Sequence, residues 1–178
     1  MKKKVLICVV AVVLVLCCAV GGTIAWLTAK TDSVTNTFTV GDINITLTET
    51  ERDYKMVPGN ELKKDPKVTV TANSEACWLF VKVEASANLS EFVSYQIAEG
   101  WTELESGVYY REVDAATAKA GVSFDVLQGN AVTVKENVTK QQMNDLTQAT
   151  YPTLTFTAYA VQKDNVATAA DAWAKVNP

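Results

Sequence analysis

Histidine is absent from the 178 residues, and cysteine and proline are scarce at four each. Each shortage closes a class of function. Without imidazole there is no Ser-His-Asp or Cys-His nucleophile and no usual zinc ligand set. Neither an HExxH motif, a paired-cysteine metal motif nor a glycine-rich phosphate loop occurs. Cys8, Cys17 and Cys18 lie in the apolar N-terminal run, so Cys77 alone remains beyond it. One thiol makes no internal disulfide, and the fold must rest on its core. Cys77 sits in "ACWLFVKV" among residues that read as buried, which points to a small inert hydrophobe.

Positive charge is thin as well. Three of the 16 basic residues are Lys2, Lys3 and Lys4, while all 20 acidic residues lie later in the chain. The 153 residues from Trp26 onward therefore hold 13 bases against 20 acids, a net charge of −7. Nucleic acid is excluded as a partner by that balance, because phosphates demand clustered Lys and Arg. The length suits a domain with a real core.

Between Val5 and Ala29 there is no charge at all. Lys2 to Lys4 form a basic start, Val5 to Val20 an apolar run of sixteen residues, and Gly21-Gly22 break it. Small residues follow at Thr23, Ala25 and Ala29, the order of a secretory signal peptide. Thr23 and Ala25 occupy the −3 and −1 places, so cleavage is expected between Ala25 and Trp26, with Ala29 as the fallback. The uncharged span is also long enough for an uncleaved membrane anchor, but the glycines and the soluble-looking sequence beyond favour cleavage. Leu14-Val15-Leu16 before Cys17 lacks the small residue of a lipobox. Residues 1–25 are thus expected to be leader, touching the membrane only before their removal by a signal peptidase. The product is expected to be secreted.

What the chain does have is alternation. Val34, Phe38 and Val40 share one parity, and after Gly41-Asp42 the apolar set resumes at Ile43, Ile45 and Leu47. Val68, Val70 and Ala72 alternate, and Cys77, Leu79, Val81, Val83 and Ala85 oppose Trp78, Phe80, Lys82 and Glu84. Val122, Phe124 and Val126 share a face, as do Leu154, Phe156, Ala158 and Ala160. Such period-two runs, rich in Thr, Val, Phe and Tyr and split by turns, predict an all-β, jelly-roll-like antiparallel sandwich. "TKQQMNDLTQA" predicts a short helical crossing, and "ATAADAWAKV" a short C-terminal helix with Ala169, Ala172 and Trp173 on one face. Trp173 is expected to pin that helix to the sandwich. "ETERDYKMVPGNELKKDP", charged and carrying Pro58-Gly59, reads as a long exposed turn.

Two clusters invite a chemical reading. Glu49, Glu51, Asp53 and Glu61 crowd the charged turn and could hold a weak calcium ion, although a solvated acidic loop is the simpler reading. Trp101, Tyr109 and Tyr110 could line a carbohydrate-binding face, or pack as cross-strand pairs in a hairpin. No cofactor is expected.

The junction "GGTIAWLTAKTDSVTNTFTVGDINITLTE" resembles the start of the TasA/camelysin family of secreted biofilm-matrix proteins. The resemblance lies in Gly21, Gly22, Thr23 and Ala25, then Asn36, Phe38 and Gly41, then Leu47 and Glu49. It continues through "PGNELKKDPKVTVTANSEACWLFVKVEA", "GWTELESGVYYREV" and the closing "AYAVQKDNVATAADAWAKV". It implies a subunit of extracellular fibres, a head-to-tail homopolymer in which an N-terminal strand completes the sheet of a neighbour, with other matrix fibre proteins as further partners. Residues 26–40 are then the assembly strand, with Leu27, Val34, Asn36, Phe38 and Val40 as its contact residues, and residues 41–178 the sandwich. An exposed strand of that composition pairs readily with an open sheet edge. The family also carries a metalloprotease label, which a chain without histidine does not support.

Overall fold

A computed structural model of the chain describes residues 42–51 and 54–176. Ten strands in three antiparallel sheets carry the fold. One sheet has the order β10 (Leu154–Gln162), β4 (Cys77–Ala85), β7 (Val108–Val113), β6 (Thr102–Glu105). A second has the order β1 (Ile45–Thr48), β3 (Lys67–Val70), β8 (Val122–Asp125), and a third β2 (Glu61–Lys63), β9 (Ala131–Val134), β5 (Val93–Ser94).

The second and third sheets are two halves of one bent layer. β2 runs into β3 through Lys64-Asp65-Pro66, and β8 into β9 through residues 126–130. Lys67 pairs with Asp125 and Lys63 with Ala131, so four steps along one strand face six along the other. The two surplus residues are taken up where Gly129 and Asn130 turn left-handed, at φ +65° and +54°. Across the bend the backbone stays paired, with Val126 N–H donating to the Pro66 carbonyl at 3.0 Å and Lys64 N–H to that of Asn130 at 2.8 Å.

Alternation decides what each face buries. Cys77, Leu79, Val81 and Val83 on β4 meet Val68 and Val70 on β3 and Val126 beyond β8, which makes the inner core of the antiparallel sandwich. Ile43, Ile45, Leu47, Phe124, Leu154, Phe156, Ala158 and Ala160 edge it, on the parities read from the sequence. Cys77 is fully buried there, and burial pushes its thiol up to about 11.

The opposite face of β4 is also covered. Trp78 and Phe80 pack with Val108, Ala169, Ala172 and Trp173, beneath the C-terminal helix (Ala169–Val176). Among the described residues three shorter α-helices precede it, and in chain order the four are α1 (Leu89–Phe92), α2 (Ala115–Ala120), α3 (Lys140–Asn144) and α4 (Ala169–Val176). Thr168 caps α4 by accepting from Asp171 N–H at 3.1 Å. Trp173 stands 5.3 Å from both Phe80 and Tyr159 and donates from Nε1 to Glu105 at 2.7 Å. Trp78 Nε1 donates to the Val166 carbonyl at 3.0 Å. The expected pin is present, with each indole's polar atom satisfied.

One expectation is corrected. The stretch from Glu49 to Pro66 is no long exposed turn. It contains β2, its Lys64 and Pro66 are buried, and Met56 packs against the cluster of Leu89, Phe92 and Val132. Pro58-Gly59 does form a tight turn, with Gly59 at φ +79° and Asn60 N–H donating to the Val57 carbonyl at 3.0 Å. That turn is bonded to β9 through Gly59 N–H and the Val134 carbonyl at 3.0 Å. The misreading has a physical cause: Lys64 is buried because it is paired, and charge pairing across fifteen residues leaves no local pattern.

Candidate assembly edge

The two rims of the four-stranded sheet differ in sequence. β6 is four residues long, carries Glu103 and Glu105, and has a register shift between them. Charge, shortness and a bulge are the usual protections of an edge strand. β10 has nine residues, "LTFTAYAVQ", with no charge and no proline. Among the described residues it pairs with β4 alone, so alternate backbone groups along its outer side point away from the sheet.

β1 closes the other layer next to β10, and the two strands lie near one another across the mouth of the sandwich. Between Leu47–Glu49 and Leu154–Phe156 there is a cavity of about 350 Å³. A second cavity, of about 790 Å³, opens over the bent layer and is floored by Met56, Leu62, Leu89, Val132, Met143 and Leu146. Lys64, Leu154 and Thr155 line both. Together they form a groove at the start of β10, apolar below and polar at its rim.

Lys64 divides the groove. Its Nζ lies 2.6 Å from Glu49 Oε1, 5.1 Å from the centre of the Tyr54 ring and 5.4 Å from that of Phe156. A cation between two rings and one carboxylate is held by both charge and quadrupole. Tyr54 is pushed up to about 12, first by burial and then by the Glu49 charge beside it. Asp65 accepts from the Thr50 hydroxyl at 2.6 Å and Thr50 N–H at 2.9 Å, and those bonds hold its carboxyl down at about 2. The kink between β2 and β3 is thus tied to the end of β1.

The residues singled out from sequence fall differently. Ala25 and Trp26 at the expected cleavage point, and Leu27, Val34, Asn36, Phe38 and Val40 of the expected assembly strand, lie outside the described residues. The acidic crowd does not converge: Glu49 faces Lys64, Glu61 is exposed on β2, and Asp53 is outside the described residues. Among the described residues no group of three Asp, Glu or Cys is placed to hold a metal ion. Trp101, Tyr109 and Tyr110 do not form one platform. Tyr110 packs on the helix side with Trp78 and Phe80, while Trp101 and Tyr109 pack against the inner core. The groove itself was missed, since its lining comes from six separate segments and Lys64 sat in a stretch read as exposed.

No helix among the described residues is long and apolar enough to cross a membrane. No curated protein and no solved structure matches the chain. Residues 1–77 match the family model described as Camelysin metallo-endopeptidase, a span that takes in the leader junction, β1 to β3 and the first residue of β4. The match agrees with the resemblance carried by Gly21, Gly22, Thr23, Phe38 and Gly41. Over residues 1–77, then, the chain is similar to the camelysin family.

Proposed function

We propose that the protein is a structural subunit of extracellular fibres, not a peptidase, and that the N-terminal segment of one copy docks on the next. The segment is Trp26 to Val40, freed once the leader is cut before Trp26. Its acceptor is the outer side of β10, with Leu27, Val34, Phe38 and Val40 supplying apolar side chains to the groove beside β1. The observation that carries this reading is the contrast between the rims: β6 is short, charged and bulged, and β10 is long, uncharged and flanked by an apolar groove. Backbone pairing gives such a contact its affinity, and side-chain pockets give it register. A contact between unlike surfaces of two copies does not close on itself, so it builds filaments.

A peptidase reading has less support. The chain has no histidine, and among the described residues the one carboxylate lining the groove, Glu49, is paired with Lys64. The deciding experiment is electron microscopy of the chain beginning at Trp26 against one beginning at Gly41. Filaments are expected only from the first, and the shorter chain should stay soluble. Filaments from both chains would sink the strand-donation mechanism, and chelator-sensitive casein cleavage would restore the peptidase.

A further inference from the structure

β10 presents its outer side through alternate residues. Lys163 N–H donates to the Ala76 carbonyl and Ser86 N–H to that of Thr153, both at 2.9 Å, so the odd-numbered residues bond inward to β4. The outward N–H and C=O groups therefore belong to Leu154, Phe156, Ala158, Ala160 and Gln162. The first four of these turn their side chains to the inner core, and Ala158 and Ala160 are the smallest of them.

The cavity of about 790 Å³ lies at the start of this strand. Leu154 and Thr155 reach it from β10, and Tyr151, Pro152 and Thr153 from the loop before it. That loop is held in place: Asn88 Nδ2 donates to the Thr150 carbonyl at 2.8 Å, and Thr153 N–H to Ser86 Oγ at 2.9 Å. Tyr151 nevertheless stands 55% exposed beside the cavity, an aromatic ring without cover among the described residues.

The segment from Trp26 to Val40 has fifteen residues and β10 has nine, so direction decides what meets the cavity. Laid parallel, residues 32–40 cover β10, and residues 26–31 run on past Leu154 with an extended reach of about 20 Å. Laid antiparallel, the same pairing leaves Trp26 beyond Gln162, at the end of the strand away from the cavity. The parallel register also sets Phe38 against Ala158 and Val40 against Ala160, large against small. Parallel pairing is slightly weaker per residue, and a buried indole outweighs that loss.

We propose that Trp26 and Leu27 of one copy anchor in this cavity of the next and so fix the donated strand parallel to β10. The inference rests on the strand donation proposed above. The floor is apolar and adaptable through Met56 and Met143, and Gln148 at the rim gives the indole N–H an acceptor. Cleavage before Trp26 then does more than release the chain: it makes the residue that fits the cavity the terminal one.

The test compares chains beginning at Trp26 and at Thr28, with filament formation followed by light scattering over a concentration series. The Thr28 chain keeps the strand and loses the anchor, and its threshold concentration is expected to rise at least about tenfold, the scale of one large buried side chain. Direction is read by cross-linking in the Trp26 chain. Thr35→Cys with Thr155→Cys should join neighbouring copies through a disulfide, and Thr39→Cys with Thr155→Cys should not. The native Cys77 is fully buried and stays out of the exchange. An unchanged threshold for the Thr28 chain overturns the anchor while strand donation stands. Cross-linking through position 39 alone overturns the parallel direction. No filaments from the Trp26 chain would sink strand donation itself, and the anchor with it.

Discussion

In the β1–β3–β8 half of the bent layer, Val68 and Val70 are fully buried against β4, whereas in the β2–β9–β5 half Val132 and Val134 are buried but Leu62 on β2 is only half-buried, beside a cavity of about 790 Å³. Both halves are antiparallel and hydrogen-bonded, and the backbone runs unbroken from one to the other. What separates them is what stands opposite. The first half faces β4, whose inner residues are almost all buried; the second faces short helices and the loop before β10. Sheet pairing alone therefore does not make a core. Apolar density on the facing layer does, and where it thins the sheet keeps its shape but leaves a cavity.

Mutations of equal chemistry should separate the halves. Leu79→Ala, in the filled half, is expected to cost about 3–4 kcal/mol in urea unfolding, because the site is enclosed and cannot collapse. Leu62→Ala, beside the existing cavity, should cost about 1 kcal/mol, since much of its surface already lacks partners. Equal losses would erase the comparison.

Next in size is the ion pair at the border between the halves. Lys64→Met leaves Glu49 with its charge and only the long hydrogen bond from the Tyr54 hydroxyl, at 3.4 Å, and about 2–3 kcal/mol of stability should be lost. Adding Glu49→Gln should recover most of that. A double variant as unstable as the single would mean that Lys64 acts through packing on Tyr54 and Phe156, not through charge.

The smallest effect belongs to Asp65. Its pKa is lowered in the fold to about 2, so its contribution is fully present above the unfolded carboxyl value near 3.8. It is lost as pH falls through about 2, because the proton then blocks the bonds from Thr50. Asp65→Asn should lower the urea midpoint slightly at neutral pH, and the gap to wild type should close between about pH 4 and pH 2. A gap that persists at pH 2 would place the effect in the side-chain swap itself.

Legibility followed the range of the interaction. The faces of β4, β8 and β10 could be read because alternation is a local property of strands buried on one side. The C-terminal helix could be read because Ala169, Ala172 and Trp173 lie at helical spacing. The bend in the outer layer could not, for it depends on a four-against-six mismatch between strands some sixty residues apart. Nor could the placing of Arg111, which read as one charged letter in "GVYYREV" and lies on two rings supplied by residues 101 and 124. The side of β10 that no described strand pairs with is likewise a fact of strand order, which no single segment encodes.

The roof formed by α4 has a geometric consequence. Trp173 and its helix cover the Trp78–Phe80 end of one face and the bent layer covers the other, while Lys82 and Glu84 leave the rest of the helix side charged and exposed. Charged residues on the exposed part of a face disfavour stacking, and the β6 rim is guarded by its glutamates and its bulge. Under the proposed assembly, growth confined to the β10 rim would have one dimension and make a thread.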